Sequence, residues 1–347
     1  MTYRKKRVKT LLFAVIAAAF LITGVFGYVF FYPNISLKNG EKAYLLVYPN
    51  STATMVVNNI EKVAEINSKS SFLLAAQLLK YTDKVRVGRY EIDGEMSNLA
   101  LIRRLRSGRQ APVQLTFNNI RTREQLAGKL SAQLLNDSVT LINLLNDSTF
   151  LAPYHLAPAT AVSLFIPDTY DVYWNISAKE LFDRMYREYQ NFWTNDRLAK
   201  AAAIPLSPLE VSILASIIEE ETNAKTERPM VAGLYINRLK QNMKLQTDPT
   251  IKFALGDFGL RRILIAHIFQ AKGSPYNTYF RLGLPPGPIR IPSKNGLDAV
   301  LNYKQHDYLY MCAKETFDGT HNFAHTYAEH QQNAKKYQQA LNARNIR

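Results

Sequence analysis

SPLEVSILASIIEEETNAKTERPMVAGLYINRLKQNMKLQTDPT, residues 207–250, is the stretch on which the reading of this chain turns. Ser207 followed by Pro208 marks a helix start: a hydroxyl cap, then a proline in the first turn. Val211, Leu214, Ile217 and Ile218 recur at helical spacing, so one face enters a core. The helix then closes on three carboxylates, Glu219, Glu220 and Glu221. Negative charge there opposes the macrodipole, and a solvated helix end is the simplest account of such a run. Helical geometry points the three in different directions. Glu221 falls on the side of Leu214, Ile217 and Ile218, so periodicity makes it the most buried. Glu219 lies beside Ala215 and Thr222, on a face of small residues that a ligand ring or another backbone can approach. Glu220 is predicted to be the plainly solvated one.

Met230 to Lys240 follows as an amphipathic helix, with Val231, Leu234, Tyr235 and Arg238 at helical spacing. Gln246-Thr247-Asp248-Pro249-Thr250 breaks it, and Pro249 biases Asp248 toward an extended conformation. A polar run stiffened by proline suits a binding wall. Thr247 or Asp248 can equally cap a helix from Thr250 to Leu255. Ser274 to Tyr279 (SPYNTY) and Gly283 to Pro288 are loops of turn residues, aromatics and amides, a composition that gives fixed backbone with hydrogen-bonding side chains.

These blocks carry a family resemblance. Ile218-Glu219-Glu220-Glu221-Thr222, Ile236-Asn237-Arg238-Leu239 and Leu245-Gln246-Thr247-Asp248-Pro249-Thr250 resemble the signature of the YceG-like endolytic murein transglycosylases. Ser274–Tyr279 and Gly283-Leu284-Pro285-Pro286-Gly287-Pro288-Ile289 are similar to that family's next blocks, and Phe165-Ile166-Pro167-Asp168-Thr169-Tyr170 to its FPDTY-type segment. The blocks stand in the family's order over more than half the chain. Two departures occur: Glu220 stands where relatives often carry lysine, and Phe165-Ile166-Pro167 replaces the usual Leu-Phe-Pro order.

The resemblance implies cleavage of peptidoglycan glycan strands without a cofactor. Cleaving a glycosidic bond needs a proton on the leaving oxygen and then attack at the anomeric carbon. A lytic transglycosylase lets the muramic C6 hydroxyl attack, giving a 1,6-anhydro end, so one carboxyl can act first as acid and then as base. The resemblance places that role at Glu219, with Glu221 as a buried supporting carboxylate. The helical wheel alone selects Glu221 as the perturbed one. Asn237, Gln246, Asp248, Tyr276, Asn277 and Tyr279 are expected to line the groove, and His321 and His330 match the family's GxHxF…EH ending. Three other readings stay open: an inverting muramidase with Glu219 as acid and Asp248 as base, a non-catalytic wall-binding scaffold, and a metallohydrolase built on His321 and His325. Spacing of His321, His325 and His330 superficially suits zinc, but no HExxH pattern accompanies them.

The chain has 347 residues, 47% hydrophobic and 20% charged, enough for two or three domains. Its single cysteine, Cys312, excludes an intramolecular disulfide and a thiolate metal cluster, and is expected as a buried hydrophobe. The net charge of +15 is partly an N-terminal flank (Arg4, Lys5, Lys6, Arg7, Lys9) and otherwise scattered, with no nucleic-acid-binding motif. A basic surface of this kind is expected to face anionic lipid headgroups or an anionic wall polymer, or to serve solubility alone.

After that flank, residues 11–32 form an uncharged apolar run, roughly 33 Å long as a helix and sufficient to cross a membrane. The positive flank (residues 1–10) belongs in the cytoplasm, so a single-pass plasma-membrane anchor with an extracytoplasmic remainder is expected, and Phe30, Phe31 and Tyr32 form an interfacial belt. The predicted class is α+β: that transmembrane helix, a small α/β module over 33–112 that the resemblance makes LysM-like, and a mixed α/β domain over 113–347 that it makes the catalytic one, with 113–150 as a candidate second LysM-like unit. In the module, Tyr44–Tyr48 and Val85–Ile92 read as strands, Met55–Val63, Ser71–Tyr81 and Met96–Gly108 as helices. Tyr170, Tyr173 and Trp174 can stack on sugars or pack internally. Asn195 to Ile204 reads as a linker, Tyr308–Cys312 as a strand, Asp318-Gly319 as a turn, and a last helix starts at Tyr327. Peptidoglycan synthases are the expected partners.

Overall fold

The computed structural model describes residues 2–38 and 40–344. Its first helix, Thr2–Phe31, contains an apolar stretch, Lys6–Phe31, whose 18-residue apolar window has mean hydropathy 2.3 and is not buried in protein. That stretch is long and apolar enough to cross a bilayer.

The described chain forms two compact units. The first runs to Gln114 and takes back Asp171–Ile176; the second holds Leu115–Tyr170 and everything from Ser177 onward. The chain passes between them within the short strands Val113–Thr116 and Thr169–Val172.

In the first unit Pro33–Leu37 pairs antiparallel with Ala64–Ile66 and with Met96–Ser97, and Ala43–Val47 pairs with Gly88–Ile92 in full register, Leu45 opposite Tyr90. Helices Ala53–Val63, Lys69–Leu78 and Asn98–Ser107 cover these strands, each started by a hydroxyl cap: Thr52, Ser68 and Ser97. Met96-Ser97 is therefore strand and cap, not the first turn of a helix, because the Ser97 hydroxyl accepts the Ala100 N–H at 3.3 Å. The core gathers Ile35, Leu45, Val56, Ile60, Phe72, Tyr90, Leu101 and Leu105. The end of the first helix joins it: Val29 and Phe30 are buried there. Phe30 is thus a core residue, and only Phe31 and Tyr32 of the expected belt stay exposed. The same junction holds the fully buried Asn98, which donates to Val29 O at 2.8 Å and accepts from Asn34 at 2.7 Å. Trp174 is buried edge-on against Tyr48, whereas Tyr173 is exposed.

The second unit is mainly helical. Phe117, Phe165, Tyr170 and Phe182 stack in one aromatic cluster, and the Tyr170 hydroxyl donates to Ile166 O at 2.5 Å, so Tyr170 is packing rather than ligand surface. Residues 195–203 are a helix, not a linker: Thr194 caps it, and Ala201–Ala203 favour it. The helices Pro208–Glu221, Arg228–Lys240 and Lys294–Leu301 bring Val211, Leu214, Ile217, Ile218, Val231, Leu234, Leu297 and Val300 into the main core. The hairpin Tyr310–Ala313 with His321–Ala324, Cys312 opposite Asn322, turns through Asp318 and Gly319 and is followed by helix Tyr327–Ala343. Gly319 has φ +81°, the left-handed backbone that favours glycine at such a turn.

Candidate active site

The site is built on the end of helix Pro208–Glu221. Ser207 and Glu210 cap its start reciprocally, Glu210 accepting the Ser207 N–H at 2.8 Å and Ser207 accepting the Glu210 N–H at 3.3 Å. Every residue from Val211 to Glu219 is buried. A helix apolar nearly all round is enclosed by its neighbours. Even its hydroxyls are used inward: Ser216 donates to Ile213 O at 2.7 Å and accepts the Ile289 N–H at 3.0 Å.

This enclosure separates the three carboxylates. Glu219, 3% exposed, receives Arg228 Nη1 at 2.7 Å, the Ser293 hydroxyl and the Ser293 N–H at 3.1 Å, and lies 3.6 Å from Arg290 Nε. Gly296 packs against it so closely that a Cβ there would stand 2.7 Å from Oε1. Glu220 is clamped as well: Arg121 reaches both its oxygens at 3.1 Å and Arg290 Nη1 lies 3.0 Å from Oε1. The expectation of a solvated Glu220 is corrected, because two guanidinium groups compensate its partial burial.

Glu221 alone faces open space. It lines a cavity of about 500 Å³ together with Tyr235, Arg238, Gln246, Asp248, Tyr279, Tyr310, Cys312, His321 and His330. The Tyr235 hydroxyl donates to Glu221 Oε1 at 2.8 Å. Burial pushes the Glu221 carboxyl up to about 7; the Tyr235 hydrogen bond and Arg238 oppose that shift, and the charge of Asp248 adds to it. A carboxyl poised near neutrality in a cleft is equipped to give up a proton and to take one back. Glu219, expected to be the acid/base, lies outside this lining and is held among two arginines and Ser293. The wheel's expectation that Glu221 is the most buried of the three is corrected: Glu219 is, and Glu221 is partly buried.

The far wall comes from the segment after the second helix. Gln246 adopts φ +52° and its N–H donates to Thr278 O at 3.2 Å. The Thr247 N–H donates to Thr278 Oγ1 at 3.0 Å, and the Thr250 and Thr278 hydroxyls meet at 2.8 Å. These clips carry Asp248 against Tyr279, whose hydroxyl donates to Oδ1 at 2.6 Å. Helix Asp248–Leu255 begins earlier than expected, and Thr247 caps it through backbone geometry without a side-chain bond. Burial and the Asp248 charge push the Tyr279 phenol far above its usual range.

Residues 45–336 match the sequence model of the YceG-like family. The chain belongs to that family. It is 27% identical to the endolytic murein transglycosylase of Bacillus subtilis, over 90% of this chain and 91% of that one. To the protein of the same name from Streptococcus pneumoniae strain D39 it is 28% identical over 94% of its length, and it spans 64% of that longer relative. A crystal structure of a YceG-like protein from Listeria monocytogenes superposes with a TM-score of 0.54 at 26% identity, covering 85% of this chain and 99% of that one.

Within this YceG-like chain the predicted site residues divide. Glu221, Gln246, Asp248, Tyr279 and His321 line the cavity. Asn237 instead donates to His306 O at 2.6 Å and Tyr308 O at 3.2 Å, fastening the approach to the hairpin. Asn277 is fully buried, donating to Ile268 O at 2.9 Å and accepting the Tyr279 N–H at 3.0 Å. Tyr276 packs on Phe253 with ring centroids 4.7 Å apart. All three shape the walls from behind. His325 is exposed beside Tyr308, so it does not share the cavity with His321 and His330. Cys312, expected to be buried, is half-exposed on the cavity wall. Sequence reasoning did not single out Tyr235, Arg238 or Tyr310 as site residues. For the first two, position one helical turn apart on Arg228–Lys240 was the available signal; for Tyr310 only strand alternation was.

Proposed function

We propose that this chain is an endolytic peptidoglycan lytic transglycosylase in which Glu221, not Glu219, is the general acid and then the general base. The observation that carries the reading is Glu221 itself: of the three adjacent carboxylates it is the one in the cavity, its side chain hydrogen-bonded among the described residues to a phenol alone, with its carboxyl raised to about 7. Family membership and the names of the relatives support the reaction class. Protonated Glu221 delivers its proton to the leaving oxygen between the muramic and glucosamine sugars. As a carboxylate it then takes the proton of the muramic C6 hydroxyl as that oxygen closes a 1,6-anhydro ring. Gln246, Asp248 and Tyr279 hold the sugar hydroxyls and N-acetyl groups. Asp248 in the same cavity keeps a hydrolytic variant open, in which water replaces the C6 hydroxyl.

The apolar helix after a basic flank fits a single-pass anchor with the flank in the cytoplasm and the chain that follows the helix outside it. Cleavage there would act on nascent strands and limit their length, beside the synthases that make them. Full-length protein in detergent, incubated with peptidoglycan and analysed by mass spectrometry, tests the reading. Internal fragments with anhydro ends are expected from the wild type and from Glu219→Gln wherever that variant folds, and none from Glu221→Gln. Reducing ends in place of anhydro ends would make the enzyme a muramidase. An active Glu221→Gln would remove that residue from the chemistry.

A further inference from the structure

A second ionisable pair stands at the cavity wall. His321 opens strand His321–Ala324 and lines the cavity. Behind it is Glu227, 8% exposed, the residue that precedes helix Arg228–Lys240. Both carboxylate oxygens of Glu227 serve His321: Oε1 accepts its backbone N–H at 2.6 Å and Oε2 lies 2.8 Å from Nδ1. A carboxylate on Nδ1 fixes the tautomer with the proton on that nitrogen, and it stabilises positive charge arriving on the ring. Nε2 on the opposite edge has no protein hydrogen-bond partner among the described residues. For packing alone, a buried carboxylate committed to one imidazole is a costly arrangement; for handling a proton it is an efficient one.

The chemistry read for the cavity leaves such a role open. In a 1,6-anhydro product the new C1–O6 bond lies on the face from which the leaving oxygen departed, so one carboxyl can serve both oxygens. The opposite face of C1 then needs a transient nucleophile. The sugar's own acetamido oxygen can fill that place, and its N–H must find an acceptor as charge develops on it.

We propose that His321, held by Glu227, accepts the hydrogen bond and the proton of the substrate acetamido N–H while Glu221 protonates the leaving oxygen. The inference rests on the transglycosylase reading above. In the first step the C1–O bond breaks, the Glu221 proton passes to the departing oxygen, and the acetamido oxygen bonds to C1. The acetamido proton moves to Nε2, leaving a neutral oxazoline beside an imidazolium paired with Glu227. In the second step O6 bonds to C1 and the C1–acetamido bond breaks. The C6 hydroxyl proton goes to Glu221 and the Nε2 proton returns to nitrogen. Both side chains end as they began.

The test uses full-length enzyme and a sugar thiazoline, a stable mimic of the oxazoline. His321→Gln keeps an amide donor for Glu227 and removes the base, and His321→Ala opens space for added imidazole. The expected results are a fall in kcat of about 100-fold or more with little change in KM, thiazoline inhibition weakened at least 10-fold, and partial recovery of His321→Ala by imidazole. The low-pH limb of the wild-type profile should flatten in both variants; Glu227 touches the imidazole and Glu221, Asp248, Arg238 and His330 line the same cavity, so the limb is compared between variants. Folded His321→Gln with unchanged thiazoline affinity would overturn the proposal, as would wild-type kcat in that variant. Should the wild type itself release no anhydro ends, the transglycosylase reading fails first, before His321 is questioned.

Discussion

The Tyr235 phenol and the Glu221 carboxylate are joined at 2.8 Å, linking the last residue of one core helix to the middle of the next. This hydrogen bond works against burial: it favours the charged carboxylate and keeps the Glu221 carboxyl from rising beyond about 7. Tyr235→Phe should therefore raise that value, and the high-pH limb of kcat/KM should move upward. Asp248→Asn removes a charge that raises it, so the limb should move downward. The two profiles, measured side by side, should bracket the wild type; shifts of the same sign would contradict this account of the cavity.

Stability should report the same carboxyl. The folded state binds the Glu221 proton more tightly than the unfolded chain, whose ordinary value is 4.5. Its contribution is fully present below that value and is lost as pH rises toward 7 and beyond. One pKa unit is 1.36 kcal/mol, and water in the cavity screens part of the shift, so the loss is about 1–3 kcal/mol. Glu221→Gln, which abolishes catalysis in our reading, should accordingly be more stable than wild type at pH 8 and no more stable at pH 4. Denaturant melts at the two pH values check both signs.

Glu219→Gln should fail differently. It removes the charge that Arg228 and Arg290 share inside the protein. Breaking a buried pair by neutralising one partner costs about 3–5 kcal/mol. Chemical denaturation should show that loss, while the molecules that remain folded keep their per-site activity. A Glu219→Gln protein of wild-type stability that cannot cleave glycan would return this residue to the chemistry.

Gly233 lies where helix Arg228–Lys240 meets the backbone of residues 304–306. A Cβ there would stand 2.3 Å from Lys304 O and 2.6 Å from His306 Nε2. Gly233→Ala must push that segment away, at about 1–3 kcal/mol. Asn237 holds the same segment through His306 O and Tyr308 O, so the hairpin wall should shift too. A lower melting temperature accompanied by a raised KM is the expected result.

The sequence made the elements of the site legible better than their assignment. Ser207-Pro208 announced the central helix, and the Gln246–Thr250 and Ser274–Tyr279 blocks announced the wall, because caps, prolines and turn residues act locally. The ranking of Glu219, Glu220 and Glu221 was not legible. A wheel orders residues by one apolar face, whereas this helix is enclosed on almost every side and its charges are sorted by distant arginines. Arg121 and Ser293 are far from the triplet along the chain, and nothing in their local sequence marks them as its partners. Asn277 shows the same limit from the other direction: its amide looked fit for a ligand and is spent on Ile268 and Tyr279.

The burial of Val29 and Phe30 in the first unit, with Asn98 fastened to Val29 O, leaves no slack between the apolar helix and the folded protein that follows it. If that helix spans the bilayer, the first unit cannot drift on a tether. It stands at a fixed height, like a post set in a floor, and every tilt of the helix in the lipid is passed on to it as a rigid lever. The membrane's thickness would thereby become a mechanical input to the unit that follows the helix.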